Sequence, residues 1–418
     1  MKKRLIKILR WSERYTKTDM VYLASGGLWV MLGYAAQVLG GIMITVALAN
    51  LIPRETFGAY QFIISTAAVL GVFTLTGMGT AINRAVSQGR DGAFRSGVRT
   101  KLKWSIGIII ASGVVASYYF LEGNNTLGYA FLIAGAGTPL IDSFRLYDSF
   151  LNGQRRFREA AILGSIRKLF PVITLLTTLS LTDQLLIITT AYFASNAVSY
   201  IVLYAVVIYR HRPPYQTDND AVSFSKHLSL INLLGRGASH ADKILIWHFL
   251  GAAAVAIFTI AQLATRYSGS LMNTFSQIAM PKLAIRDLPT LQRTLPRKVL
   301  LFSGAMAIAT LLYILLAPFV FALLFPEYPE SVFISQVLAL SLLFIPRSLY
   351  HKALTAHACT RELYLLGILN PVIRLTLLIL LLPLYGLWGA VYALILSGAL
   401  ETIVVYTLFK QAKSVEKV

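Results

Sequence analysis

Long apolar runs set the limits on what this chain can fold into. From Val21 almost to the C-terminus they recur at a length of about 18–20 residues or more, enough to cross about 30 Å of hydrocarbon. Only 13% of the 418 residues are charged and 56% are hydrophobic, against roughly 25% charged in ordinary soluble proteins. A string of soluble domains is therefore excluded. The expectation is an all-α integral membrane protein with about twelve transmembrane helices, read at 21–49, 57–80, 102–121, 127–150, 160–181, 185–209, 228–250, 253–280, 299–325, 331–350, 363–382 and 386–409. The breaks carry turn residues such as Pro53, Gly123-Asn124-Asn125, Pro213-Pro214, Gly251 and Pro383.

The net charge of +20 would point to nucleic acid in a soluble protein. Its distribution gives another answer. The N-terminus, the C-terminus and the stretches around 84–103, 145–168, 210–226, 281–298 and 347–362 hold 33 of the 38 Lys and Arg residues. The short loops between them hold Arg54 and five acids: Glu55, Glu122, Asp183, Glu327 and Glu330. Positive loops stay inside, so both termini are expected in the cytoplasm, with no nucleic-acid partner. Residues 1–20 form a basic segment in which Leu5, Ile8, Leu9 and Trp11 fall near one helical face, as an interfacial helix or a basic tail would. The apolar run behind it is too long for a signal peptide.

The linker 210–227, containing Arg-His-Arg-Pro-Pro-Tyr, divides the chain into expected six-helix bundles at 21–209 and 228–409, followed by a tail at 410–418. Six is even, so the bundles would be parallel repeats about an axis along the membrane normal. The turn Leu51-Ile52-Pro53-Arg54-Glu55-Thr56-Phe57-Gly58-Ala59-Tyr60 is faintly echoed from Leu250 to Phe258.

Several soluble-protein signals fail. Asp218-Asn219-Asp220 has the form of a sugar-nucleotide metal motif, but it sits in a Pro-rich linker and reads as polar linker. Gly77-Met78-Gly79 and Gly135-Ala136-Gly137 lie in apolar spans, where small residues serve close helix packing. Cys359 is the one cysteine, so no internal disulfide or thiolate metal site is expected. No cofactor, metal or catalytic residue is expected either.

Charges inside the membrane carry the functional signal. Arg236, Lys243, Arg266 and Arg374 fall within spans. Each costs roughly 2.5–3.5 kcal/mol at mid-bilayer, so four unpaired would cost about 10–14 kcal/mol. They must face water or partners. Arg236, His240, Lys243 and Trp247 recur at i, i+4, i+7 and i+11 and share one face. Asn370-Pro371 interrupts the helix ladder just before Arg374. Asp242 and Glu401 can neutralise two of the four cations. Two readings stay open: internal salt bridges, or a wet cationic cavity for an anionic substrate, lined by Arg236, Lys243, Arg266, Arg374 and His240. The excess of cations favours the cavity. Asp142, Arg145 and Asp148, at i, i+3 and i+6, can pair along their helix. Asp142, Asp242 and Glu401 are also the candidate ion-coupling carboxylates, while His240 reads as a hydrogen-bonded interior histidine.

The paired six-span halves, the turn LIPRETFGAY, and Asp242-Lys243-Ile244-Leu245-Ile246 followed by Phe249-Leu250-Gly251-Ala252 resemble the O-antigen and polysaccharide exporter flippases. These belong to the multidrug/oligosaccharidyl-lipid/polysaccharide exporter superfamily. The resemblance spans essentially the whole chain, through topology and turn patterns. It implies a MATE-like fold, alternating access around a central cavity, and movement of a polyprenyl-pyrophosphate-linked oligosaccharide from the inner to the outer leaflet of a bacterial cytoplasmic membrane. It also implies a polysaccharide polymerase and chain-length machinery as partners, besides the lipid-linked substrate and the bilayer. Three alternatives remain. A drug/cation antiporter of the same superfamily would need interior carboxylates, and a peptidoglycan lipid-precursor flippase typically has two further spans. A membrane polysaccharide polymerase or glycosyltransferase usually needs a sizeable catalytic loop.

Overall fold

The structure, a computed structural model, describes residues 20–215 and 217–412. All but Met20 of the basic N-terminal segment, and residues 413–418 of the tail, lie outside the described residues. All regular structure among the described residues is helical. In chain order the helices are α1 (Met20–Leu51), α2 (Arg54–Leu70), α3 (Met78–Ser87), α4 (Ala93–Trp104), α5 (Ile106–Leu121) and α6 (Asn125–Phe144). Next come α7 (Leu146–Gly153), α8 (Phe157–Leu181), α9 (Leu185–His211), α10 (Asn219–Leu250), α11 (Ala252–Ala261) and α12 (Leu263–Ile285). The last are α13 (Leu288–Leu324), α14 (Glu330–Leu338), α15 (Ser348–Ala356), α16 (Thr360–Tyr385) and α17 (Leu387–Gln411).

Nine helical stretches among the described residues are long and apolar enough to cross a membrane. The other three expected spans fall on α1, on α10 with its charges, and on α11–α12. Hydropathy and burial run in opposite directions here. The apolar window of α13 has a mean hydropathy of 2.5 and is only 17% buried, whereas that of α2 has 1.5 and is 61% buried. Leu300, Leu301, Leu315, Leu316, Phe319 and Leu323 of α13 are all exposed. A helix apolar on every side needs lipid around it, while a central helix meets other protein and can carry polar groups.

α2 sits at the centre because glycines let it. A Cβ on Gly58 would fall 1.8 Å from the Ala252 carbonyl oxygen, so only glycine lets α2 touch the start of α11. Gly251 makes the turn into α11 at φ +80, a left-handed conformation that side chains disfavour. Around this contact lies a latch. Arg54 pairs with Glu330 at 3.3 Å, donates to the Glu327 carbonyl and lies 5.0 Å from the centre of the Tyr328 ring. Burial pushes the Tyr328 hydroxyl up to about 12, so that ring stays neutral at physiological pH. Phe57 packs edge-on against it.

Three elements differ in detail from the sequence expectation. The span read at 57–80 is broken: α2 stops at Leu70, a 3-10 turn covers Gly71–Phe73, and α3 starts at Met78. Thr74 turns extended at φ −103, ψ 169, and both its backbone N–H, at 3.2 Å, and its hydroxyl, at 2.8 Å, donate to the Gly71 carbonyl. The span read at 127–150 falls on one apolar stretch, Asn125–Gly153, with a single turn residue, Arg145, between α6 and α7. Asp142, Arg145 and Asp148 form no ion pair with one another. Finally, α14, a 3-10 segment at Ala339–Arg347 and α15 run on without a loop, so that helix continues past the span read at 331–350 to Ala356.

Candidate substrate cavity

α10 is the axis of the site. It presents Ser239, His240, Asp242 and Lys243 to a cavity of about 800 Å3. α2 adds Gln61 and Ser65, the α11–α12 junction adds Gln262 and Arg266, and the continuous 330–356 run adds Arg347, His351 and Lys352. α16 supplies Asn370 and Arg374, and α17 supplies Glu401. Pro371 removes one backbone N–H from α16 and loosens the turn before Arg374.

Asp242, 2% exposed, is the most heavily tied group. It accepts from the Lys243 backbone N–H at 2.9 Å, from Gln262 Nε2 at 3.0 Å and from Arg374 Nη2 at 3.2 Å. Glu401 is held by Arg347 Nη2 at 2.5 Å, and Arg347 Nη1 donates to the Gly398 carbonyl at 3.2 Å. Lys243 Nζ donates to Gln61 Oε1 at 3.0 Å, a neutral acceptor on α2. Lys243, Arg266 and Lys352 form no ion pair with any described residue.

The cavity wall thus holds five cations (Lys243, Arg266, Arg347, Lys352 and Arg374) against two carboxylates (Asp242 and Glu401). Both carboxylates are already committed to arginines. The uncompensated charge is positive and sits where the low dielectric strengthens its pull on anions.

The structure separates residues that the sequence grouped. His240, Lys243, Arg266, Arg374, Asp242 and Glu401 line this cavity, but Arg236 and Asp142 do not. Those two line a second chamber of about 500 Å3 with Thr76, Lys101, Arg145, Asp148 and Ser149. Trp247 lies outside both, stacked on Phe62 with ring centres 4.4 Å apart. His240 has no hydrogen-bond partner among the described residues, unlike the interior histidine expected. Arg347, His351 and Lys352 escaped sequence reading because they follow Pro346 near a presumed loop. A basic trio after an apolar run reads as an inside flank, and only the unbroken helical backbone carries it into the cavity.

A family model described as polysaccharide biosynthesis protein matches residues 23–285, more than half of the chain. No curated protein matches the chain in sequence. Among solved structures, one similar chain is the lipid II flippase MurJ in an inward closed conformation. It has a TM-score of 0.71 and 15% identity over 90% of this chain and 86% of that one. Another is an inward-facing multidrug resistance MATE family transporter of the MOP superfamily, with a TM-score of 0.70 and 15% identity over 90% and 94% of the two chains. A third is a MOP superfamily transporter from Pyrococcus furiosus, described as having a binding pocket of reverse polarity. Its TM-score is 0.68, at 15% identity over 93% and 95%. At these identities the likeness establishes the fold, which is MATE-like.

Proposed function

The chain belongs to the polysaccharide biosynthesis protein family, and on that premise we propose that it flips a polyprenyl-pyrophosphate-linked oligosaccharide from the cytoplasmic to the outer leaflet of a bacterial cytoplasmic membrane. The observation that carries this reading is the cavity wall, with Lys243, Arg266 and Lys352 free of carboxylate partners. A pyrophosphate at membrane depth needs fixed cations, and the arginine fork matches its oxygens two at a time. The polyprenyl tail stays in lipid while the head occupies the cavity.

In this reading the chain crosses the membrane twelve times with both termini in the cytoplasm, and the linker 210–227 joins bundles at 21–209 and 228–409. Arg236 and Asp142 belong to the substrate path but not to the pyrophosphate site, and Asp242 serves first as the counter-ion of Arg374. An exporter of organic cations would need the opposite sign of wall.

Deletion of the gene tests the reading. A lipid-linked oligosaccharide is expected to accumulate with its sugars facing the cytoplasm, while the corresponding surface glycan disappears. Unchanged surface glycan, together with new sensitivity to organic cations, would overturn the assignment in favour of drug export.

A further inference from the structure

The second chamber differs in kind from the cationic cavity. Its wall mixes signs: Lys101, Arg145 and Arg236 stand among Asp142 and Asp148, with the hydroxyls of Thr76 and Ser149 and the bare backbone of Gly79 and Gly235 between them. Four of these charges are close but unpaired. None of Lys101, Asp142, Arg145 or Arg236 forms an ion pair among the described residues. Lys101 is only 5% exposed, and its side chain has no hydrogen-bond partner there. Thr76 Oγ1 is buried without a partner too.

Buried polar groups ordinarily find partners within the fold, so Lys101 and Thr76 Oγ1, buried without one, point to a partner absent from it. The break between α2 and α3 borders the chamber and puts Thr76 in its wall. Asp142 Oδ2 comes within 3.6 Å of where a Cβ on Gly71 would sit, and the Gly77 N–H donates to Ser229 Oγ on α10 at 2.9 Å.

We infer that this chamber is a carbohydrate subsite, which holds the first sugars of the lipid-linked glycan while the larger cavity holds the pyrophosphate. The inference rests on the flippase reading above. Each sugar hydroxyl both donates and accepts, so a sugar site needs acceptors and donors side by side. Asp142 and Asp148 accept, Lys101, Arg145 and Arg236 donate, and Thr76 and Ser149 do both. Three cations against two carboxylates leave a smaller positive excess here than five against two in the larger cavity, so the pyrophosphate favours the larger cavity and a neutral hydroxyl can use both signs here. The volume of about 500 Å3 lies within the roughly 300–1,000 Å3 of ligand pockets. The two chambers adjoin. Arg236 precedes His240 of the larger cavity by one helical turn, about 6 Å along the α10 axis, so one substrate can reach both.

The test is binding to the full-length protein in lipid nanodiscs, with two kinds of fluorescent polyprenyl pyrophosphate: bare, or carrying neutral mono-, di- or trisaccharides. The wild type is expected to bind glycosylated probes more tightly than the bare one. Asp142→Asn and Lys101→Gln should weaken the glycosylated probes by about tenfold or more and leave the bare probe unchanged. Arg266→Gln should weaken both kinds alike. Thr76→Val and Ser149→Ala, which remove only hydroxyls, carry the same comparison if a charge variant misfolds. The subsite is overturned if the chamber variants weaken both kinds of probe equally or neither, or if the wild type does not prefer sugar. If the wild type binds neither kind, the flippase reading itself fails and the subsite with it.

Discussion

The Asp242 carboxylate holds Arg374, Gln262 and a backbone N–H at once, while Arg266 in the same wall holds no carboxylate. The two residues are therefore expected to fail in different ways. Removing one partner of a buried ion pair costs about 3–5 kcal/mol, because the survivor stays buried and charged. Asp242→Asn should lower the thermal unfolding temperature of the purified protein, and adding Arg374→Gln to it should recover part of the loss. Arg266→Gln should leave the unfolding temperature in place and weaken anionic lipid binding. Equal melting of both single variants would mean that Arg266 is structural. The sequence already carried Asp242, Glu401 and the membrane-embedded cations, since a charge within an apolar run stands out by itself. It could not show pairings across the fold. Glu401 meets Arg347 rather than one of the four interior cations, and Arg236 turns from Lys243 towards Asp142.

At the scale of elements, α2 touches α11 through Gly58 and Ala252 and carries the Arg54 side of the latch. The Gly58–Ala252 contact leaves no room for a methyl group, and overpacking of this kind costs typically about 1–3 kcal/mol. Gly58→Ala should therefore part α2 from α11 and loosen the latch of Arg54 and Glu330. The measurement is labelling of Ser331→Cys, at a position 0% exposed beside the latch, with a membrane-impermeant maleimide. The native Cys359 is buried and serves as the background. Labelling should rise in Gly58→Ala and in the double variant Arg54→Ala, Glu330→Ala; labelling as slow as in the latched parent would show that neither contact holds the end closed. Hydropathy located most of these elements, because lipid demands apolar length whatever the packing. The break at Gly71–Gly77 escaped it, since Val72-Phe73-Thr74-Leu75-Thr76 is as apolar as the helices on either side. That break places Thr76 in the wall beside Asp142 of α6, so the second chamber could not be read before the backbone was known.

For the whole molecule, the sign of the cavity and the sign of the membrane potential act together. Moving an anion away from a negative interior gains about 2.3 kcal/mol per charge per 100 mV, or roughly 4–5 kcal/mol for two phosphate charges crossing the full field. An empty, net-positive cavity returning inward also moves downhill. Transport in vesicles should therefore persist under a clamped potential with no proton or sodium gradient. A strict requirement for an ion gradient at zero potential would instead assign coupling to a carboxylate such as Asp142, Asp242 or Glu401. The central claim is that uncompensated cations in this cavity carry an anionic lipid-linked head across the bilayer. Its most direct measurement is the flipping rate of a fluorescent polyprenyl-pyrophosphate glycan in reconstituted vesicles, for the wild type and for Lys243→Gln with Arg266→Gln. The account predicts rapid flipping by the wild type and near-complete loss in the double variant, with the fold intact. A double variant that flips the anionic lipid as fast as the wild type would contradict it.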